Sequence, residues 1–277
     1  MKKLFLTLLT GLALVACSSQ PKAQQAEESA QKVLVLYYSV TNTTQQLAEY
    51  IQQKTGADIE KIQPADAYSE VYQEIIARSQ QEMENNTLPE LQPLKANIAD
   101  YDIIFLGYPI WFGTYAQPIK TLLSTVDFSG KVVVPFSTSG SSGIGQSVND
   151  LKQAVPGIQI PESVGVRSSL MDKMPAAVDR VLISLGLIEG ENEVLADFSE
   201  QKPVTEAEAE IFNAAISTYP MLNGNKAVTV GSRTTSTGTD YKFVGESTGP
   251  DGSKSQMDVY VTKENGDAAP YFTKIDR

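Results

Sequence analysis

Val33-Leu34-Val35-Leu36-Tyr37-Tyr38, followed directly by Ser39-Val40-Thr41-Asn42-Thr43-Thr44, decides how this chain is read. The first six residues form an unbroken apolar run, the mark of a strand buried on both faces. The next six hold four hydroxyls and one amide. Behind them Leu47, Ala48 and Ile51 recur at helical spacing, and Gly56 stands where a helix C-terminus favours glycine. A doubly buried strand that enters a helix through a short polar loop is the repeating unit of a parallel sheet covered by helices.

The same alternation continues downstream. Ala57–Ile62 reads as an outer strand, and Tyr68–Asn86 as a helix with Val71, Tyr72, Ile75, Ile76 and Ser79 on one face. Ile103–Gly107 and Val132–Phe136 read as buried strands, with a helix at Gln117–Thr125 between them that carries Pro118 early, where proline is tolerated. A helix at Val148–Val155, a strand at Ile158–Val166 and a helix at Ala176–Leu185 complete the series. Five strands alternating with helices predict an α/β fold with a doubly wound, five-stranded parallel sheet. In such folds ligands bind beyond the carboxyl ends of the strands, so the loops after the first, third and fourth strands carry the function.

Each of those loops has its own chemistry. In Ser39–Thr44 the positive end of a helix meets clustered hydroxyls, a setting able to hold a phosphate without any Lys or Arg. Helix capping by Ser39 or Thr43 alone would occupy only one of the four hydroxyls. Tyr108-Pro109-Ile110-Trp111-Phe112-Gly113-Thr114-Tyr115 brings three aromatics and the only tryptophan to the ligand edge. Taken singly, Phe112 and Tyr115 read as packing under the adjacent helix, whereas Trp111 reads as a contact for a flat heterocycle. Ser137-Thr138-Ser139-Gly140-Ser141-Ser142-Gly143-Ile144-Gly145 is rich in glycine, which lets backbone N–H groups approach a ligand closely. It is not the dinucleotide G-x-G-x-x-G motif, which belongs in a first strand-to-helix turn.

In order and separation these three segments resemble the FMN loops of the flavodoxin-like family. The segment at 38–44 is similar to its phosphate loop, that at 107–115 to its first isoalloxazine loop, and that at 135–143 to its second. The resemblance runs from about Lys32 to Leu187. It implies FMN as cofactor, with phosphate contacts from Ser39, Thr41, Asn42, Thr43 and Thr44. It implies ring contacts from Pro109, Ile110, Trp111, Phe112 and Gly113, and from Ser139, Gly140 and Gly143. Two departures stand out. Asn42 occupies a position where the family commonly has glycine, and asparagine tolerates the left-handed conformation better than most residues. The third loop lacks the tyrosine that commonly covers the outer flavin face, which suggests a face open to a hydride donor or quinone.

Composition removes many other chemistries. The chain of 277 residues contains no histidine and one cysteine, Cys17, so Ser-His-Asp and Cys-His machinery, Cys/His zinc sites and internal disulfides are excluded. Its formal charge is −11; without Lys2 and Lys3 the 22 basic residues become 20 against 33 acidic, or −13. Such a surface repels nucleic acid and suits a basic or dipolar partner face.

Lys2 and Lys3, the apolar Leu4–Ala13 and Leu14-Val15-Ala16-Cys17 have the parts of a secretory signal, and the last four residues resemble a bacterial lipobox. The apolar stretch is shorter than the ~20 residues of a membrane-spanning helix. The expectation is a signal peptide at 1–16, a diacylglycerol on Cys17 and a polar tether at 17–31. The mature protein would then be exported and membrane-anchored at the outer face of a bacterial cell membrane, or on the periplasmic side of a membrane.

Residues 32–190 form the expected FMN domain, 191–225 a helical connection with a helix at Pro203–Tyr219, and 226–277 a small β-rich module. Strands at Tyr241–Glu246 and Met257–Lys263 are joined through Gly249-Pro250-Asp251-Gly252, with two more at Ala227–Val230 and Phe272–Ile275. No chemistry is recognisable in that module; partner docking, flavin covering and a purely structural appendix all stay open. The leading functional expectation is an FMN-dependent oxidoreductase, reduced by a nicotinamide or quinol donor and passing electrons to a small-molecule or protein acceptor. A non-catalytic electron carrier and a binding or adhesion lipoprotein with a vestigial flavin site are the alternatives.

Overall fold

The computed structural model describes residues 31–217 and 219–276. The expected signal segment, Cys17 and the tether up to residue 30 lie outside them.

The chain opens with strand β1 (Val33–Tyr37), helix α1 (Thr43–Thr55), β2 (Asp58–Lys61) and α2 (Tyr72–Glu84). It continues through β3 (Ile103–Trp111), β4 (Thr114–Tyr115), α3 (Gln117–Thr125), β5 (Val132–Ser139), α4 (Gly145–Ala154), β6 (Val164–Arg167) and α5 (Met174–Ser184). The main sheet has the order β2-β1-β3-β5-β6, with β4 folded back on β3. All four pairings along that order are parallel. This is the doubly wound, five-stranded arrangement expected from the alternating pattern.

Alternate residues of each strand serve opposite faces. Val35, Phe105, Val134 and Phe136 pack against Leu47 and Ile51 of α1 and Val178 and Leu182 of α5. Leu34, Leu36, Ile104, Leu106 and Val133 face the other way, onto Ile119 and Leu122 of α3 and Leu151 of α4. At the ligand end β3 and β5 approach so closely that a Cβ on Gly107 would overlap the Phe136 ring. Glycine is required there by space, not by backbone conformation.

Several boundaries differ from the sequence expectation. β5 runs past its apolar segment to Ser139 because pairing with β3 continues in register (Tyr108 with Ser137, Pro109 with Thr138) although its side chains turn polar, and β3 runs on to Trp111 because Ile110 and Trp111 pair with β4. The segment read as a loop at 108–115 is therefore a β-hairpin. Phe112 (φ 50°) and Gly113 (φ 86°) form its two-residue turn, with the positive φ angles that such tight hairpins demand. The last parallel strand is confined to Val164–Arg167, and Gln159 makes only an isolated bridge to Val132. α2 begins at Tyr72, and its core face is Ile75 and Ser79. Val71 and Tyr72, expected on that face, are 54% and 69% exposed. Val71 is extended, just before the first turn, so helical periodicity does not yet govern it.

Beyond α5, β7 (Lys202–Pro203), α6 (Glu206–Ile216), β8 (Lys226–Thr235), β9 (Gly238–Thr248), β10 (Lys254–Glu264) and β11 (Tyr271–Asp276) form a second unit of structure. Its antiparallel sheet has the order β11-β10-β9-β8-β7. α6 lays Phe212, Ala215 and Ile216 on Val230, Phe243, Val259, Val261 and Phe272, so helix and sheet share one core. The helix starts in a capping box: Thr205 accepts from the Glu208 backbone while Glu208 accepts from the Thr205 backbone.

Candidate functional site

In-register pairing of Tyr37 with Gly107 and of Gly107 with Phe136 sets the loops after β1, β3 and β5 side by side at one sheet edge. The first loop makes a left-handed turn at Asn42 (φ 61°, ψ 2°), the conformation its sequence position required. Asn42 precedes α1, yet no side chain caps the helix and its first turn carries no acid. Among the described residues no side chain, Ser39 and Thr43 included, bonds the first-turn amides, which lack intrahelical partners as well. The Thr41 and Thr43 hydroxyls stand 3.4 Å apart on the exposed side. An uncapped positive helix end, ringed by hydroxyls and with no acid in its first turn, suits a phosphate group.

Ser39 and Thr44 are buried. The Thr44 hydroxyl does not face outward; it makes a buried 2.7 Å hydrogen bond with the Thr138 hydroxyl. That bond ties the start of α1 to the end of β5, so the phosphate half of the site is braced against the ring half.

The β3–β4 hairpin presents its aromatics unequally. Trp111 meets Tyr38 edge-on at 5.8 Å and Tyr68 at 5.2 Å with a 58° tilt. The Arg78 guanidinium lies 4.0 Å over Tyr68, and both Tyr68 and Arg78 donate to Glu82. This backing fixes the half-buried indole at the sheet edge. The Tyr38 hydroxyl is buried with no partner among the described residues, and burial pushes its pKa above the usual phenol range. Phe112 is 52% exposed at the hairpin tip, which corrects its reading as a packing residue. Tyr115 does pack, edge-on to buried Tyr108 at 6.0 Å. Thr114 donates to Asp150 of α4 at 2.5 Å, anchoring the hairpin, and the Tyr108 and Ser147 hydroxyls are 3.1 Å apart. Pro109 and Ile110 lie half-buried near the end of β3.

The third loop is occupied on one side. The buried Ser139 hydroxyl donates to the Ser142 carbonyl at 2.6 Å. Gly140 accepts from Arg167 at 3.1 Å, and a Cβ on Gly140 would lie 3.7 Å from the Tyr219 hydroxyl. The Gly143 N–H points to the Ile275 carbonyl at 3.4 Å. The sequence reading singled out neither Thr138 nor Tyr38, Tyr68, Arg167 or Tyr219. Thr138 lay inside a quoted motif, and Arg167 directly follows the predicted last strand; Tyr219 carries no local signal. Two aromatics of the C-terminal module are engaged within it: Tyr241 stacks on Phe243 at 5.6 Å and Tyr271 donates to Glu264 at 3.0 Å. Two hollows of about 590 and 980 Å³, one beside α3 and one between α5 and the C-terminal sheet, contain none of the predicted site residues.

A doubly wound sheet with a phosphate-ready helix end and two further loops beside it defines a mononucleotide-binding α/β protein. The flavodoxin family profile matches residues 32–177, more than half of the chain, and the protein belongs to that family. Among solved structures, a proposed flavoprotein from Bacteroides eggerthii is 34% identical, covering 54% of this chain and 96% of its own, with a TM-score of 0.46. One from Bacteroides uniformis is 31% identical over 54% and 98%, with a TM-score of 0.48. A Lactobacillus acidophilus flavoprotein in complex with FMN is 26% identical over 52% and 99%, with a TM-score of 0.45. No curated protein matches the chain.

The buried Thr44–Thr138 pair yields a test of the site's architecture. Thr44→Val leaves the Thr138 hydroxyl buried without its partner, a loss of about 1–3 kcal/mol. The double variant with Thr138→Val should lose less than the two single changes combined. Urea denaturation of the four proteins measures this, and strict additivity would mean that the two hydroxyls do not interact.

Proposed function

We propose that this protein binds FMN at the three-loop edge and transfers electrons through it, outside the cytoplasm. The observation that carries the reading is the uncapped N-terminus of α1, opening among Thr41, Asn42 and Thr43 beside the Trp111 hairpin and the glycine-rich loop. Bound FMN would supply the redox chemistry. The chain's own part is to hold the phosphate with helix amides and the hydroxyls of Ser39, Thr41 and Thr43, while Thr44 braces the loop from within through Thr138. Pro109–Gly113 and Ser139–Gly143 would flank the ring and limit its access to water. No side chain is assigned as acid or base.

Losing one hydrogen bond to a charged phosphate costs ~1.5–3 kcal/mol, so Thr41→Ala should weaken FMN binding roughly ten- to a hundredfold. Riboflavin, which lacks the phosphate, should bind the variant as it binds wild type. Fluorescence titration with both flavins separates the cases, and equal losses would remove the loop from phosphate binding.

The expectation of an open outer face rested on a third loop without an aromatic. Tyr219 beside Gly140 and β11 beside Gly143 alter that premise. A stacked hydride donor needs free space over the ring, whereas a carrier exchanges electrons at its edge. This packing favours the carrier over the FMN-dependent reductase, with protein partners met through an acidic surface. Anaerobic stopped-flow mixing with NADH, NADPH and a menaquinol analogue should give reduction no faster than that of free FMN. Rapid reduction by any of the three would restore the reductase.

Export and anchoring complete the proposal. They are supported by Lys2-Lys3, the apolar 4–13 and Leu14-Val15-Ala16-Cys17. Detergent phase partitioning should recover the wild type with the detergent and Cys17→Ala in the aqueous phase. A wild type found in the aqueous phase would exclude the anchor.

A further inference from the structure

The C-terminal sheet lies outside the family match, yet it is fastened to the third loop. β11 joins the loop as a short added strand. Ser142 and Ile275 form a parallel bridge, and the Ile275 N–H donates to Ser141 O at 3.0 Å. Side chains then close the seam: a Cβ on Gly143 would lie 2.8 Å from both Asp276 Oδ1 and Lys274 Cδ. Arg167, at the end of β6, bridges the two parts. Its Nε donates to Gly140 O at 3.1 Å and its Nη1 to Phe272 O at 2.5 Å, with the guanidinium 3.4 Å over the Phe272 ring.

Arg167 is 7% exposed, and no carboxylate lies within ion-pair distance of it among the described residues. Desolvation pushes its pKa down to about 10, so it remains a cation at neutral pH. A buried charge needs hydrogen-bond partners. Here one carbonyl comes from the flavin loop and one from the C-terminal sheet, so the cation is satisfied only while the two are docked.

Gly140-Ser141-Ser142-Gly143 has no large side chain with which to order itself, and glycine loses more backbone freedom on ordering than any other residue. A loop already held in its bound form spares the ligand that cost.

We propose that residues 219–276 are a built-in brace for the ring half of the flavin site, with Arg167 as the positioning residue that couples them. The inference rests on the FMN reading above. It assigns the C-terminal module a role in flavin affinity, and it sets a cation on the Gly140 carbonyl of the loop that would flank the ring, where positive charge favours uptake of electrons. By linkage, flavin binding must in turn tighten the docking of β11.

The test uses the full chain. Arg167→Met and Gly143→Val should each weaken FMN and riboflavin alike, by tenfold or more, because the defect lies at the ring and not at the phosphate. Arg167→Met should also lower the flavin midpoint potential, while Arg167→Lys, which keeps the charge, should restore much of it. In unaltered protein, hydrogen exchange should show the amides of Gly143 and Ile275 becoming more protected as FMN is added. That measurement decides the matter should either variant fail to fold. A wild type that binds neither flavin would overturn the FMN reading itself. Wild-type binding with unchanged β11 protection, or folded variants that bind both flavins within twofold of wild type, would overturn the brace alone.

Discussion

Side-by-side, in-register pairing of three parallel strands is the constraint from which the rest of this structure follows. Val33 lies opposite Ile103, and Ile103 opposite Val132, so β1, β3 and β5 deliver their loops to one edge together. The pairing survives at its ligand end because Gly107 leaves room for the Phe136 ring. Helices on both faces bury the strands, and the strand order fixes which loops are neighbours. Nothing at the site has to be brought in from elsewhere in the body of the fold.

Electrostatics divides the site into two halves. The phosphate loop at 39–44 has no basic side chain of its own, the Lys61 ammonium being bonded to Gln45 in the first turn of α1; it relies on helix amides, hydroxyls and a left-handed Asn42 in a protein of formal charge −11. A lysine there would strengthen anion binding at longer range but would also demand a counter-charge when the site is empty. The ring half holds the opposite arrangement, a cation with no paired carboxylate, satisfied by carbonyls of two separate elements. The Thr44–Thr138 hydrogen bond is where the halves meet.

Much of this was legible in the sequence, since it depends on local pattern. Val33–Tyr38 announced a doubly buried strand, Gln117–Thr125 was read to the residue, and Asn42 was expected in the left-handed region it occupies. Element ends were less legible. Backbone pairing carried β5 to Ser139 after the hydrophobic signal had stopped, and the hairpin with β4 carried β3 to Trp111. Long-range side-chain pairings were not legible at all. Thr44 meets Thr138, and Tyr219 meets Phe272, only through tertiary folding, and no spacing rule along the chain encodes either contact. The exposure of Phe112 has a similar origin: the two-residue hairpin turn lifts it away from the core into which its composition would have placed it.

The seam between β11 and the third loop also bears on when the molecule becomes complete. Ser141 and Ile275 are separated by 134 positions, and β11, which closes the contact, follows every other described element. A ribosome or a translocation channel delivers the sheet, the helices and the uncapped end of α1 well before it delivers Tyr271–Asp276. Until those residues emerge, Arg167 lacks its Phe272 partners and the glycine loop lacks its neighbouring strand. Order of synthesis therefore sets the order of maturation: the phosphate cradle can form early, and the loop beside it reaches its final shape only after β11 has been made.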